Sequence, residues 1–442
     1  MYFALMFRRI FMKNFGFRNA MVFLVLSATV ALAYQLPFLR FTFYDQFAAA
    51  YQLSNTQIGI LASALNLTYT FCYPIGGWMA DRFSMRSMIS TTLAAYAVLT
   101  FAFAMTTNFT ALLIIHFLYG FFGIATLWSA YLKGIRNLAN EDNQSKMFGG
   151  SEALRGVIQT LMGFAFLAIV GLAATPAAGM KVLFLFGAGV CALFFVLALV
   201  FLPKTDIKHE AQVAVNETKY SVMDVLKNKG VWISILVIMF AYLTWAIGNA
   251  YMTTYTVQVL NISTTTASAI GIFRSYIIVL LAGVIGGFFM DKFTYKGKGF
   301  IIAFGAISAA LVALLFSAKV IAISIILTLV IAFIANIMKS TYWSIMDQAG
   351  IPVGMTGMAT GIISFIAFIP DVFYGLICGK WLDDAKAAGD IAAGFNQIFI
   401  LLIVCAILGI GSAMLLVKRT NDLKKLEVAE SEATPAASIS QI

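Results

Sequence analysis

The chain has 442 residues, of which 61% are apolar, 14% aromatic and only 11% charged, and its mean hydropathy is +0.92. Because soluble domains carry about a quarter charged residues, this composition excludes a soluble enzyme or nucleic-acid-binding domain and indicates a polytopic membrane protein. At roughly 20 residues for each spanning helix, the length allows about twelve helices with short loops. The four cysteines lie in apolar runs without CxxC spacing, which predicts neither a disulfide framework nor a zinc site.

Twelve continuous apolar runs follow one another along the chain, and they predict helices rather than the alternating strands of a β-barrel. We number these runs spans 1 to 12, at residues 20–44, 55–80, 86–106, 109–132, 147–173, 181–202, 231–259, 265–290, 299–318, 320–343, 356–380 and 392–417. The predicted fold class is an all-α membrane protein of two six-helix bundles, at residues 1–203 and 230–418. A cytoplasmic linker at 204–229 joins them, with a short amphipathic helix around Tyr220 to Leu226, and a disordered tail is expected at 419–442.

The 29 basic residues are concentrated in the N-terminal segment, every second loop, the linker and the tail. The opposite loops hold only Lys181, Lys319, Lys380 and Lys386. Since Lys and Arg accumulate on the cytoplasmic side, both termini are predicted to be cytoplasmic. Topology thus explains the net charge of +10 without a nucleic-acid partner. We expect a monomer in a bacterial inner membrane, with the lipid bilayer and a small-molecule solute as its partners.

An internal repeat links the two halves of the chain. The sequence IGGWMADRFSMR at residues 75–86 recurs as IGGFFMDKFTYK at 285–296, and ATLWSA at 125–130 has a weaker counterpart, STYWSI, at 340–345. Such repeats are how many transporters build two helical bundles around a central site. The paired glycines predict close packing of a helix end on a neighbour, followed by a basic loop.

The first copy of this repeat resembles the loop 2–3 signature of the major facilitator superfamily, G-x-x-x-D-R-x-G-R-R, and the second copy resembles its degenerate form in loop 8–9. The sequence departs from the signature at Ser84 and Ser87, around Met85 and Arg86, where the family has Gly and a second Arg. The resemblance implies transport by alternating access between two bundles. It also implies a conformational latch on the cytoplasmic side, formed by Gly77, Asp81, Arg82, Arg86, Gly287, Asp291 and Lys292.

Spans 1 and 2 are similar to those of organophosphate and related organic-anion transporters, with Arg40 in span 1, a short outer loop and an aromatic span 2. Those transporters also carry an Arg in span 7, whereas span 7 here reads YLTWAIGNAYMTTY without a charge. Arg274 in span 8 is the nearest candidate for a second anion clamp. Span 5 lacks the Gly-Pro signature of drug-exporting branches, which disfavours efflux.

Charges inside spans are candidates for the binding site, because an unpaired charge at the bilayer centre costs about 2.5–3.5 kcal/mol on insertion scales. Arg155 lies nine residues after Lys146, about 14 Å into span 5, and Glu152 precedes it by one turn on the same helical face. One interpretation is a substrate-binding cation with a proton-coupling partner. The other is a structural ion pair.

Arg274 is about 16 Å into span 8 with no acidic residue within one turn, which indicates an anion site or a partner elsewhere such as Asp371. Asp371 follows Pro370, which bends span 11, and it is the second candidate for proton coupling. Arg40 is central if span 1 starts late and at the outer rim if it starts at Met21. Lys339 in span 10 either lines the exit or extends to the cytoplasmic interface.

Polar and aromatic groups within spans complete the predicted pocket. Trp128 and Trp343 occupy equivalent places in the repeat, and Asn249 lies in a stretch of span 7 rich in small and polar residues. With the arginines, the predicted substrate-binding residues are Tyr34, Arg40, Tyr69, Trp128, Arg155, Asn249, Arg274 and Trp343. His116 and His209 have no ligand companions at helical spacing, so no metal is expected, and no cofactor is predicted.

These observations favour a secondary transporter that moves a small anionic or zwitterionic organic solute, driven by a proton or counter-substrate gradient. The alternatives are proton-coupled efflux of drug-like or sugar solutes and a non-transporting sensor of the same fold. We find no P-loop, H-E-x-x-H or suitably placed G-x-S-x-G, so the sequence indicates neither an enzyme nor an ATP-driven pump.

Overall fold

The computed structural model describes residues 16–138, 144–204, 220–352 and 355–433, and within these ranges it contains helices and no strands. Eleven of the described helices are long and apolar enough to cross a membrane, and the shorter apolar helix Phe17–Ala33 precedes them. They follow the predicted spans 2 to 12. Their bounds are Asn55–Arg82, Met85–Met105, Phe109–Phe121 with Trp128–Leu138, Gln144–Leu172, Pro176–Phe201, Lys229–Gln258, Thr264–Ile272 with Ile278–Asp291, Lys296–Ser317, Ile321–Thr341, Thr356–Phe368 with Asp371–Ala387, and Ile391–Ala433.

Short polar side chains define where several spans begin. Ser54 forms a capping box with Gln57 at the start of span 2. Ser84, Asn108 and Ser263 accept backbone N–H groups at the starts of spans 3, 4 and 8. These caps satisfy amide groups that lack a partner in the first helical turn. The spans can therefore follow one another through loops of a few residues.

Span 1 differs from the sequence prediction. Its α-helix ends at Ala33 rather than continuing to residue 44, and a 3-10 turn at Leu36–Phe41 and a short helix at Tyr44–Tyr51 follow it. Pro37 occupies the first turn of the 3-10 segment and has no N–H with which to continue the preceding helix. Aromatic and polar side chains are consequently held on irregular backbone at the end of span 1.

Irregular turns also occur in spans 4, 8 and 10. A π turn at Phe122–Thr126 divides span 4, and another at Phe273–Ile277 divides span 8. Span 10 ends in a 3-10 turn at Tyr342–Ile345. Trp128 begins the helix that follows the π turn of span 4, and its repeat counterpart Trp343 lies within the 3-10 turn of span 10. Such departures from α-helical geometry occur frequently at functional sites.

In both halves of the chain, the two glycines of the repeat differ in the space around them. A Cβ atom on Gly76 would lie 2.9 Å from the carbonyl oxygen of Ile124, and one on Gly286 would lie 2.9 Å from the Ser340 hydroxyl. By contrast, a Cβ atom on Gly77 or Gly287 would meet nothing within 4 Å. The first glycine of each pair permits close helix packing, whereas the second faces open space.

The chain divides into two compact units. The first comprises Met1–Val213, Asn249–Leu280 and Ile369–Gln397, and the second comprises Ala214–Gly248, Leu281–Phe368 and Ile398–Ile442. These units cross the predicted boundaries at 203 and 230, because parts of spans 7, 8 and 11 pack with the first half of the chain. The division into bundles at 1–203 and 230–418 follows the repeat and stays a prediction.

The linker and the tail each contain helix. A helix at Val222–Lys227 lies where the amphipathic segment was expected, while residues 205–219 lie outside the described part of the chain. The expectation of a disordered tail from residue 419 is wrong for 419–433, because the helix of span 12 continues to Ala433. Arg419 and Thr420 donate hydrogen bonds to the carbonyl groups of Ala349 and Gln348, which fixes the start of this extension within the second unit.

Candidate functional site

An aromatic cluster surrounds the irregular end of span 1 in the first unit. The ring of Tyr34 lies 6.4 Å from Phe38 with an interplanar angle of 9°, 5.9 Å from Tyr69 and 6.1 Å from Trp128. Trp128 in turn lies 5.9 Å from Tyr131. The structure therefore brings together three predicted binding residues, Tyr34, Tyr69 and Trp128. Helix breaks in spans 1 and 4 place two of them.

Arg40 lies on the 3-10 turn beyond the break of span 1. Its guanidinium group is 5.0 Å from the ring centroid of Phe38 and 4.8 Å from that of Phe41, both within cation–π range. Nη1 donates a hydrogen bond to the carbonyl of Pro37, and Nη2 has no acceptor among the described residues. The side chain is buried, so its charge is stabilised by aromatic faces rather than by a carboxylate.

The predicted ion pair in span 5 is formed. Arg155 Nη2 lies 2.7 Å from Glu152 Oε2, and the side chains remain 23% and 46% exposed. The hydroxyl of Tyr131 lies 3.5 Å from Glu152 Oε1 and forms a 2.9 Å hydrogen bond with Ser151. Through Tyr131 and Trp128, the pair is continuous with the aromatic cluster. It thus offers an accessible cation beside stacking surfaces.

A reciprocal amide contact fixes the end of span 1 against span 5. Gln35 Nε2 donates to the carbonyl of Gln159 at 2.8 Å, and Gln159 Nε2 donates to the carbonyl of Ala31 at 3.2 Å. Two helical turns earlier in each of these spans, Ser27 and Ser151 share a 2.8 Å hydrogen bond. The sequence showed both glutamines as polar residues within spans, but no local pattern indicated that they pair.

Arg274 lies on the π turn of span 8 and is fully buried. Its Nη2 donates to Thr253 Oγ1 at 2.6 Å and makes longer contacts with the carbonyl groups of Phe41, at 3.4 Å, and Asn249, at 3.5 Å. Nε and Nη1 have no acceptor among the described residues. The acceptors come from spans 1 and 7, and Asp371, the partner considered from the sequence, is not one of them.

Asn249, a predicted binding residue, is buried beside Arg274. Its backbone carbonyl faces the guanidinium group, and its side-chain oxygen accepts a 3.3 Å hydrogen bond from Ser275. Thr253, which the sequence analysis did not single out, donates its hydroxyl to the carbonyl of Phe41 at 2.6 Å while accepting from Arg274. Thr253 thus connects three spans through one hydroxyl group.

Asp371 begins the second helix of span 11 directly after Pro370, as the proline predicted. Its carbonyl oxygen accepts a 3.2 Å hydrogen bond from the side chain of Asn66 in span 2. The side chain is half-buried. Its expected role in proton coupling stays a prediction.

The second unit has its own cation and aromatic cluster. The ammonium group of Lys339 lies 3.2 Å from the ring centroid of Trp245, which is 5.6 Å from the ring of Tyr242. Trp343, a predicted binding residue, packs on the ring of Tyr342 at 5.4 Å. The sequence allowed two interpretations of Lys339, which either lines the exit or extends to the cytoplasmic interface. The structure places its charge over the indole ring of Trp245 in span 7, and both interpretations stay predictions.

The adjoining ends of spans 2 and 11 form a contact that the sequence analysis missed. The Asp383 carboxylate accepts the backbone N–H and the side-chain amide of Asn55, each at 2.9 Å, and the backbone N–H of Thr56 at 2.7 Å. A Cβ atom on Gly59 would lie 2.2 Å from the carbonyl oxygen of Gly375. Gly375 and Gly379 are four residues apart, a spacing typical of close helix contacts, and this spacing is the sequence pattern that could have predicted the contact.

The predicted latch is only partly described. The guanidinium group of Arg82 lies 4.4 Å from the ring centroid of Trp78, and Asp291 and Lys292 are exposed. The side chain of Asp81 lies outside the described part of the chain. The role of these residues in conformational change stays a prediction.

Comparison with known proteins identifies relatives along almost the whole chain. A sequence profile of the Major Facilitator Superfamily matches residues 10–374. The inner membrane protein YqcE of Escherichia coli strain K12 is 27% identical over 388 residues, covering 85% of this chain and 90% of YqcE. The inner membrane protein YihN of the same organism is 24% identical over 422 residues, covering 93% of this chain and 98% of YihN.

Solved structures share the fold. A bacterial homologue of the human lysosomal transporter Spinster superposes with a TM-score of 0.74 at 15% identity, covering 92% of this chain and 98% of the homologue. The nucleoside transporter NupG gives 0.70 at 14% identity, with coverage of 91% and 100%. The D-xylose-proton symporter gives 0.65 at 15% identity, with coverage of 90% and 95%. These likenesses confirm the predicted all-helical, two-bundle fold.

Proposed function

The chain belongs to the major facilitator superfamily and is a transporter rather than an enzyme, and we propose that it carries a small organic anion or zwitterion by alternating access. Its relatives are inner membrane proteins, and its described helices include eleven long enough to span a bilayer, so it is a multi-pass inner membrane protein. We further propose a proton or counter-substrate gradient as the driving force, a monomeric state, and cytoplasmic termini.

Three arginine side chains in the first unit carry this proposal. Arg40, Arg155 and Arg274 lie in or directly beside spans, and of these three only Arg155 has a carboxylate partner among the described residues, Glu152. The other two guanidinium groups retain N–H donors without acceptors in the same part of the chain. Since a buried charge without compensation is costly and arginine binds carboxylates and phosphates through two parallel hydrogen bonds, an anionic group on the solute would supply what is missing.

The different exposures of Arg155 and Arg274 indicate the order in which they would contact the solute. Arg155 is the accessible cation, so we propose that it binds the solute first, between Glu152 and the rings of Tyr34 and Trp128, with Tyr69 behind them. Arg274 is enclosed by spans 1 and 7, so it reaches the solute only when those spans separate.

The remaining predicted site residues have supporting roles in the proposal. Arg40 holds the aromatic turn of span 1, and Asn249 positions Arg274. Trp343 and Asp371 are the residues that the second half of the sequence contributes to the proposed site. Glu152 and Asp371 are the proposed proton-coupling acids, because ionisable residues within membrane spans are candidates for proton relays.

A thermal-shift screen in detergent tests the solute class. A ligand that binds only the folded state stabilises it by about 2.7 kcal/mol when its concentration is 100 times its dissociation constant. Because the assay detects binding rather than transport, it requires no knowledge of the coupling ion. The panel contains organic phosphates, carboxylates, sugars, nucleosides, peptides and cationic drugs. We expect anionic compounds to raise the melting temperature of the wild type.

The informative variant neutralises the whole ion pair, Glu152→Gln with Arg155→Gln, because removing one partner alone leaves an unpaired charge. The matched control is Lys380→Gln with Asp384→Gln, an exposed pair at 3.0 Å. We expect the anion-induced shift to persist in the control and to be lost in the site variant. Equal stabilisation of all three proteins by a neutral sugar or a cationic drug would instead support the alternative solute classes.

Counterflow in proteoliposomes separates transport from sensing. Exchange of labelled for unlabelled solute across the membrane is expected of a transporter, whether or not a gradient is applied. Binding in the thermal-shift assay without any exchange would favour a sensor of the same fold.

A further inference from the structure

An open groove of about 740 Å³ runs between span 3 and the end of span 6 in the first unit. Along span 3, its lining begins at Ser84 and continues to Leu99 through residues that recur every three or four positions, so they occupy one face of the helix. Phe195 and Lys204 belong to the opposite wall. Apart from Arg86, which belongs to the predicted latch, none of its lining residues is part of the proposed transport site.

One end of the groove is polar and positively charged. Arg86 and Lys204 lie there with four hydroxyl groups, and no carboxylate is among the residues that line the groove. Arg86 Nη2 donates a hydrogen bond to the carbonyl of Leu199, which places the guanidinium group across the gap between the two spans. This end has the composition of a site for a phosphate group.

Within the described part of the chain, the hydroxyl of Ser90 is an unpaired polar group in the wall of the groove. Ser90 lines the groove, is only 6% exposed, and its Oγ has no hydrogen-bond partner among the described residues. Buried hydroxyl groups in folded proteins nearly always have a partner. A polar group of a ligand at the charged end would provide one.

The other end of the groove is apolar and has the length of an acyl chain in one leaflet. Eleven residues separate Ser87 from Val98, which corresponds to about 16 Å along the helix, and half of a bilayer's hydrocarbon core is about 15 Å thick. Ala94 and Ala95 leave room on the helix face, and Phe195 forms the facing wall. A soluble anion would occupy only the charged end.

We propose that this groove binds one anionic phospholipid from the leaflet facing the linker. Its phosphate contacts Arg86 and Lys204, and one acyl chain lies along the face formed by Ala94, Ala95 and Val98. The charged end is on the side that the distribution of basic residues predicts to be cytoplasmic, where anionic lipids attract juxtamembrane cations.

Native mass spectrometry of the delipidated protein with phosphatidylglycerol, phosphatidylcholine or inorganic phosphate tests the proposal. The site variant is Arg86→Gln with Lys204→Gln. The matched control, Lys227→Gln with Lys229→Gln, removes the same charge from the linker outside the groove. Loss of each cation near an anionic lipid weakens binding about fivefold, so we expect the site variant to lose roughly 30-fold in phosphatidylglycerol affinity. The control should retain wild-type affinity.

A second variant, Ala94→Trp, fills the apolar part and leaves both cations in place. We expect it to lose phosphatidylglycerol binding although its charge is unchanged, with all variants melting within the wild-type range when no lipid is added. Equal wild-type affinity for phosphatidylcholine and phosphatidylglycerol would overturn the proposal. So would undiminished lipid binding by Ala94→Trp together with binding of inorganic phosphate at the cations, because the groove would then be a site for a soluble anion. Transport is not the readout, since Arg86 also belongs to the proposed latch.

Discussion

Replacing Gly59 by alanine would force spans 2 and 11 apart. The new Cβ atom would lie 2.2 Å from the carbonyl oxygen of Gly375 and 2.6 Å from its carbonyl carbon, where ordinary contacts begin at 3.4 Å. The difference between 3.4 and 2.2 Å requires the backbones to separate by about 1.2 Å along that line. The obstructing atoms belong to the main chain, so no rotamer change can relieve the overlap.

The energetic effect has two opposing parts. Overpacking of this kind costs about 1–3 kcal/mol, whereas replacing a helical glycine by alanine contributes up to about 1 kcal/mol of stability. We therefore expect a net loss of about 1–2 kcal/mol and a lower melting temperature for Gly59→Ala. Gly361→Ala is the matched control in span 11, because its Cβ atom would meet nothing within 4 Å. That variant should melt at or above the wild-type temperature.

The accessibility of Cys378 to alkylation measures the separation of spans 2 and 11. This native thiol is fully buried on span 11, beside Gly379, whose own Cβ atom would lie 2.4 Å from the carbonyl oxygen of Asn55. We expect maleimide to alkylate Cys378 faster in Gly59→Ala than in the wild type or the control, as measured by peptide mass spectrometry. Unchanged protection of Cys378, together with a melting temperature equal to that of Gly361→Ala, would refute the inferred contact.

Three further predictions concern charged groups. Arg274→Lys should abolish uptake by proteoliposomes although a cation remains, because an ammonium group cannot reproduce the fork that reaches Thr253; normal uptake would remove Arg274 from the site. Glu152→Gln should abolish proton-driven accumulation but leave counterflow through Arg155 intact; because Arg155 then lacks its partner, equal loss of both activities contradicts a coupling role only if the variant melts at the wild-type temperature. Burial raises the pKa of Asp45 above 3.8, against two hydrogen bonds from span 7 that lower it. Between the unfolded and folded pKa values the folded protein binds more protons, so this carboxyl's contribution to stability grows as the pH falls through the folded pKa. The melting temperature of Asp45→Asn should therefore rise less than that of the wild type as the pH is lowered through this range. Identical pH profiles of the two melting temperatures would exclude a contribution from Asp45.

Features that depend on residues close in the chain were predictable from the sequence. The hydropathy of each run established spans 2 to 12, because a helix must satisfy its own backbone hydrogen bonds within a bilayer. Spacing by three residues predicted the ion pair of Glu152 and Arg155, and Pro370 predicted the interruption of span 11.

Tertiary structure alone decided which distant residues meet. Hydropathy extended span 1 to residue 44, yet the helix ends at Ala33, because Pro37 has no N–H to continue it and the residues that follow pack on irregular backbone. Gln35 meets Gln159 across 124 residues, and Asp383 caps Asn55 across 328. Such pairs leave no periodic trace, because their proximity depends on how the helices pack. Composition and local spacing therefore determined the fold class and the helices of this transporter, whereas packing determined which of its buried charges have partners.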